Sequence, residues 1–334
     1  MTSSPGASAP TEQWTTLEGW RQFVAEEPPL PLPLTRRQWL SLTEDERVIR
    51  DDERIDHHTR LVIVATSAVR QAVTCGRRLV LLNRHARSGR RGLMLSGRSS
   101  TGKTTAITQL GRSHELLDRR RHPGVHDRIP VVYITVPPAA TARMVAAEFA
   151  RFLGLPVSTR WNMTDIIEAV VGVLTTARTS MVLIDEVHNI SLSTRPGAEV
   201  SDTLKYFSER IPATFVYAGI NAEREGLFSG TRGEQIAGRF TLIPTRAFPY
   251  NEEWKRLVAR MDSTLRLLDH KPGNLTDLDR YIHDRTKGMI GALSQLVCGA
   301  ALDAIQSGTE KITKAGLKAV PLDVATDFPN HVNS

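Results

Sequence analysis

The run Gly97, Arg98, Ser99, Ser100, Thr101, Gly102, Lys103, Thr104 fills every defined position of G-x-x-x-x-G-K-[ST]. That pattern makes a loop whose backbone N–H groups cradle a polyphosphate. Lys103 is expected to neutralise the outer phosphates of a nucleoside triphosphate, and the Thr104 hydroxyl to ligate Mg²⁺, with Thr105 lining the same loop. The stretch Met181-Val182-Leu183-Ile184-Asp185-Glu186 is apolar and then ends in two acids. Asp185 suits the metal shell through water, and Glu186 suits polarising or orienting the attacking water as a general base. His188, just beyond, reads as a hydrogen-bonded cap rather than a ligand.

A third apolar run, Thr214–Ala218, leads to Asn221, whose amide suits a hydrogen bond to the γ-phosphate or to the water. Arg239 precedes the last apolar run. An arginine there can reach the nucleotide of a neighbouring subunit and offset charge on the transferring phosphoryl group. Arg210, Arg232 and Arg246 are the alternatives.

Such side chains converge only if strands are parallel, because ligands gather beyond the carboxyl ends of parallel strands. Apolar runs at 93–96, 131–136, 181–184, 214–218 and 242–243 alternate with helical spacing at 104–117, 141–153, 164–177 and 201–210. This predicts an α/β fold, a three-layer α/β/α with a five-stranded parallel sheet. After Phe248 only helical patterns recur, at 254–268, 275–286, 290–306 and 313–318, which predicts a small all-helical lid. Ahead of the sheet, 14–24 and 35–50 read as helical. The prolines of 28–33 read as an extended strap, 55–83 as a long helical region with Gly76 as a candidate break, and 84–91 as a basic turn. The expected domains are an N-terminal extension at 1–50, partly disordered and free for a partner, a nucleotide-binding domain at 51–248, the lid at 249–320 and a tail at 321–334.

The chain has 334 residues, 40% of them hydrophobic, enough for a sizeable core in two folded units. No apolar run reaches membrane-spanning length, and the N-terminus lacks a charged leader with an apolar block. A cytoplasmic protein without a membrane partner is expected. Cys75 and Cys298 lie far apart without ligand spacing and read as free thiols. The net charge of +7 suits a polyanion, nucleic acid ahead of membrane. Arg143, Arg195 and Lys205 are the candidate contacts to DNA phosphates, and Arg119-Arg120-Arg121-His122 reads as a solvated loop.

These elements, in this order, resemble the AAA+ ATPases over roughly residues 55–320. Within them the chain most resembles the TniB/TnsC group of transposition ATPases. Four stretches carry this: Asp185 to Ile190; Leu204-Lys205-Tyr206-Phe207 ahead of Ile211-Pro212; Gly238-Arg239-Phe240 with Pro244 and Trp254; and Thr286 to Leu293 with Ala300-Ala301 and Ala304-Ile305. The resemblance implies a Mg²⁺-dependent ATPase that self-associates as a ring or filament on duplex DNA and hands a target site to a transposase. It gives Lys103 and Thr104 the phosphate and metal roles. Asp185 and Glu186 take the metal and water roles, Asn221 that of first sensor and Arg239 that of intersubunit finger. One departure stands out. Many AAA+ lids carry a sensor arginine in G-x-x-R, whereas this chain has Gly291-Ala292-Leu293-Ser294, with Arg285 and Lys287 the nearest substitutes. A helicase loader or replication initiator, and a signalling NTPase that binds protein rather than DNA, are the alternatives.

Overall fold

The computed structural model describes residues 13–27, 30–60, 65–158, 160–190, 194–222 and 238–322. Helices α1 (Leu17–Ala25), α2 (Arg36–Leu40), α3 (Glu44–Thr59) and α4 (Ser67–Asn83) precede the first strand. Then come β1 (Gly92–Ser96), α5 (Lys103–Arg121), β2 (Val131–Thr135), α6 (Ala142–Phe152), α7 (Met163–Thr176), β3 (Met181–Asp185), α8 (Arg195–Arg210), β4 (Thr214–Gly219) and β5 (Phe240–Pro244). Helices α9 (Glu252–Thr264), α10 (Asp279–Thr286), α11 (Ile290–Gln306) and α12 (Lys314–Ala319) complete the described chain. It forms two compact units, one of Met1–Glu26, Ser67–Arg98 and Lys103–Thr245, the other of Glu27–Thr66, Ser99–Gly102 and Arg246–Ser334.

The first unit is a five-stranded sheet in the order β2-β3-β4-β1-β5, parallel throughout. Strands β1, β3 and β4 are buried at every residue, as continuous apolar runs covered on both faces require. Helix α5 packs on α4 and on the strands. Gly76 does not break α4. A Cβ there would lie 2.6 Å from the Leu110 side chain of α5, so the glycine permits close helix approach instead. Arg119, Arg120 and Arg121 are not a loop either: they form the last turn of α5, where cations complement the exposed carbonyls.

Helix α1 belongs to this core, which corrects the expectation of a free extension over 1–50. Trp20 is fully buried. Its ring stacks on Tyr133 at 5.8 Å, and its Nε1 donates to Glu115 Oε2 at 2.5 Å.

The second unit is helical. Within it α3 packs on α11, locked by Arg54. That guanidinium is 3% exposed and donates to Glu310 at 2.7 and 3.0 Å and to Asp51 at 2.5 Å. Arg266 Nε donates to Pro31 O, so part of the proline-rich strap is anchored here. Ser99–Gly102 group with this unit, where Gly291 N–H donates to Ser100 O at 3.0 Å.

Candidate nucleotide site

At the carboxyl ends of β1, β3 and β4 the chain makes three abrupt turns. Beyond β1, the backbone at Gly97 is not left-handed. The glycine is needed there because a Cβ would fall 2.0 Å from Thr245 O, where the chain leaving β5 passes. Gly102 is the position that needs the freedom, at φ +85. Lys103 opens α5 and is 7% exposed, its Nζ donating to Arg98 O at 2.8 Å. Burial lowers its pKa, opposed by Glu186 and Asp185.

Asp185, 2% exposed, is the hub. Its Oδ2 accepts from Thr104 Oγ1 at 2.6 Å and from the Tyr133 hydroxyl at 3.2 Å, and its Oδ1 accepts from Glu186 N at 2.8 Å. Sequence reasoning missed Tyr133. Register explains its reach: Tyr133 pairs with Leu183, so it shares a face with Asp185 two residues on. Burial first, then the Asp185 charge, raises the Tyr133 pKa and keeps the phenol a donor. A signal was present, since a tyrosine inside a strand buried on both sides needs a polar partner.

Glu186 leaves β3 in the left-handed region, φ 58 and ψ 34. His188 sits in the 3₁₀ turn Val187–Asn189, its Nδ1 3.1 Å from Glu186 Oε2 but outside hydrogen-bonding geometry. Asn189 Nδ2 donates to Val136 O. Asn221 also has positive φ, and the next residue ties this turn to β1: Ala222 N donates to Ser96 Oγ at 2.9 Å. Thus the phosphate loop, both acids and the asparagine turn share one end of the sheet.

Arg239 does not join them. It is exposed just before β5, where Gly92 N donates to its carbonyl. From Phe240 to Pro244 the strand runs about 13 Å, at roughly 3.3 Å per residue, towards the other end. Arg239 shares a cavity with Lys205, Arg90 and Arg91. Of its rivals, Arg210 is held by both oxygens of Glu168, Arg246 is exposed beyond β5, and Arg232 lies outside the described residues. Arg143 donates to Trp161 O, and Arg195 pairs with Glu199. In the lid, Arg285 donates to Val320 O, while Lys287 is exposed at φ 54.

A parallel sheet in this order, with a phosphate loop after β1, an acid-ended β3 and a following helical unit, is an AAA+-type fold. A family model for the bacterial TniB protein matches residues 54–250, more than half of the chain, and the chain belongs to that family. No curated protein matches the sequence. The fold is similar to that of the ORC2 protein of Aeropyrum pernix in its ADPNP-ADP complexes. There the TM-score is 0.61 at 17% identity, over 78% of this chain and 68% of that one. The ADP form of ORC2 gives 0.63 at 18%, over 82% and 74%. The ORC1 protein of the same organism, solved in complex with DNA, gives 0.57 at 14%, over 75% and 64%. Among the described residues no helix is long and apolar enough to cross a membrane.

Proposed function

We propose that the chain is an ATP-driven switch of DNA transposition, which self-associates on duplex DNA and recruits or activates a transposase. The observation that carries the nucleotide half is the Asp185 carboxylate gathered by Thr104 and Tyr133 beside the buried Lys103. Mg²⁺–ATP supplies a transferable phosphoryl group and the charge that holds subunits in register. The residues present fit that group. Lys103 offers a desolvated ammonium within a Gly-rich turn, with a backbone carbonyl as its recorded acceptor. The Thr104 hydroxyl donates its hydrogen bond to Asp185 Oδ2, which leaves its oxygen lone pairs for a metal. Glu186 would accept the proton of the attacking water, and Asn221 would hold that water or the terminal phosphate. Arg239, at the far end of the sheet from its own phosphate loop, would serve the site of a second copy.

Family membership supports transposition over a replication role, although ORC1 was solved with DNA and shares the fold. The net charge of +7 supports a polyanionic partner over a purely protein-binding switch. The test is Lys103→Ala, examined by electron microscopy with duplex DNA and a non-hydrolysable ATP analogue. Wild type should form analogue-dependent assemblies and the variant none. Equal assembly by both would end the nucleotide-coupling argument.

A further inference from the structure

From residue 57 to residue 114 the chain has no Asp or Glu but eleven Lys and Arg, more than its whole net charge of +7. Helix α4 lies inside this stretch, and α5 packs against it. Along α5 and α4 runs a cavity of about 260 Å³, lined by Arg77 of α4 and by Gln109, Arg112, Ser113 and Arg120 of α5, with two leucines. No carboxylate lines it.

The two acids of α5 are engaged elsewhere. Glu115 accepts from Trp20 and Arg119, and Asp118 takes two 2.7 Å bonds from Arg128. Within the seam, Arg77 donates to Ser113 Oγ at 2.5 Å, which leaves the serine proton to be donated outwards. The Gln109 Nε2 group is buried without an acceptor among the described residues.

We propose that the α4–α5 seam is a binding site for the phosphate backbone of duplex DNA. Arg112 and Arg120 stand eight residues apart on one helix, about 12 Å at 1.5 Å per residue, too far for one phosphate to engage both. A run of phosphates along a strand spans that distance. Arginine forks aimed at phosphates position a duplex without reading its sequence. This rests on the DNA-binding reading above and places the contact on α4 and α5 rather than on Arg143 and Arg195; Arg112 also donates to Glu26 O at 2.9 Å, a single bond that leaves the other donors of its guanidinium for phosphate.

The test is fluorescence polarisation of labelled duplex from 50 to 200 mM salt, with a non-hydrolysable ATP analogue present. It compares wild type, the triple variant Arg77→Ala/Arg112→Ala/Arg120→Ala, and Gln109→Glu, which keeps all three arginines and the side-chain volume. Each lost phosphate contact removes about 0.9 from the log–log salt slope, so the triple variant should be shallower by about 2–3. Its affinity at the lowest salt should fall at least about tenfold. Gln109→Glu should weaken binding in the same direction. Both should keep wild-type melting and DNA-free ATP turnover. Wild-type affinity and slope in both variants would overturn the site while leaving DNA binding intact. No duplex binding by wild type would overturn the DNA reading itself. Displacement of duplex by tripolyphosphate at equal phosphate concentration would assign the seam to a small anion and overturn the assignment to DNA.

Discussion

Tyr133→Phe isolates a single hydroxyl at the hub of the site. The ring stays stacked on Trp20, and Tyr to Phe leaves no sizeable cavity. What is lost is a buried O–H···O bond to Asp185 Oδ2 at 3.2 Å. A hydrogen bond to a charged group contributes about 1.5–3 kcal/mol. This one is longer than the 2.6 Å bond from Thr104 to the same oxygen, and Glu186 N still holds the other oxygen, so the lower end applies. About 1.5 kcal/mol corresponds to roughly a tenfold change in an equilibrium constant. The effect should appear where Asp185 acts, as a roughly tenfold higher Mg²⁺ concentration for half-maximal ATP turnover. Nucleotide affinity without Mg²⁺ should hardly move. Fluorescent-nucleotide binding with and without Mg²⁺, beside a Mg²⁺ titration of turnover, separates the two. An unchanged Mg²⁺ requirement would show that Tyr133 does not position Asp185. An equal loss in both measurements would show general loosening instead.

His58 and His114 should make the fold acid-sensitive. Burial, then the nearby cations, lowers the His58 pKa from 6.5 to about 3, and burial lowers that of His114 to about 4. Both are neutral when folded and bind a proton more readily when unfolded. Stability is therefore full above pH 6.5 and falls as the pH drops towards those values, by about 2 kcal/mol per histidine at pH 5. Urea melts of wild type and of His58→Gln and His114→Gln at pH 7.5 and 5 check this, and an unchanged pH dependence in both variants would refute it. Glu310→Ala removes the partner of a buried guanidinium and the acceptor of Leu268 N, and should destabilise the helical unit by about 3–5 kcal/mol in denaturant. If Arg239 serves a second copy, Arg239→Ala and Glu186→Gln should each lack ATP turnover alone and recover part of it when mixed. No recovery on mixing would refute the trans role.

The parts of the fold legible in the sequence were those with local signals. β1, the phosphate loop and the acid-ended β3 follow from motif and apolar runs, and the Ile290–Gln306 helix falls where its spacing predicts. Long-range pairing was not legible. The spacing of Leu17, Trp20 and Phe23 predicts a helix, but nothing local reveals that Trp20 docks on Tyr133 or reaches Glu115, 95 residues on. Gly76 shows the same limit. A glycine in a helical pattern weakens the helix by propensity, and only the neighbouring Leu110 reveals why it is tolerated. At the site, residue types identified the phosphate loop and the acids. The third group at Asp185 depended on strand register, which the sequence does not display.

Backbone strain marks three turns of the site without being confined to it, since Ala139, Arg178, Lys287 and Glu310 also have positive φ. Ser100, Glu186 and Asn221 have φ of 59, 58 and 45, and each stands in a segment that residue types alone assign to phosphate, water or sensing. A side chain in the left-handed region costs about 1–2 kcal/mol, so surrounding bonds must hold it there. They are present: Glu186 N to Asp185 Oδ1 and Asn189 N to Glu186 O at the second turn, Ala222 N to Ser96 Oγ at the third, Gly291 N to Ser100 O at the first. At Glu186 the turn has a direct consequence. Had β3 continued, residue 186 would point to the face opposite Asp185, because strand side chains alternate. Leaving the strand in the left-handed region breaks that alternation, so the backbone sets the direction in which the Glu186 side chain departs. If Glu186 is the general base, this direction is set before a water arrives, and only its side-chain torsions remain to be ordered.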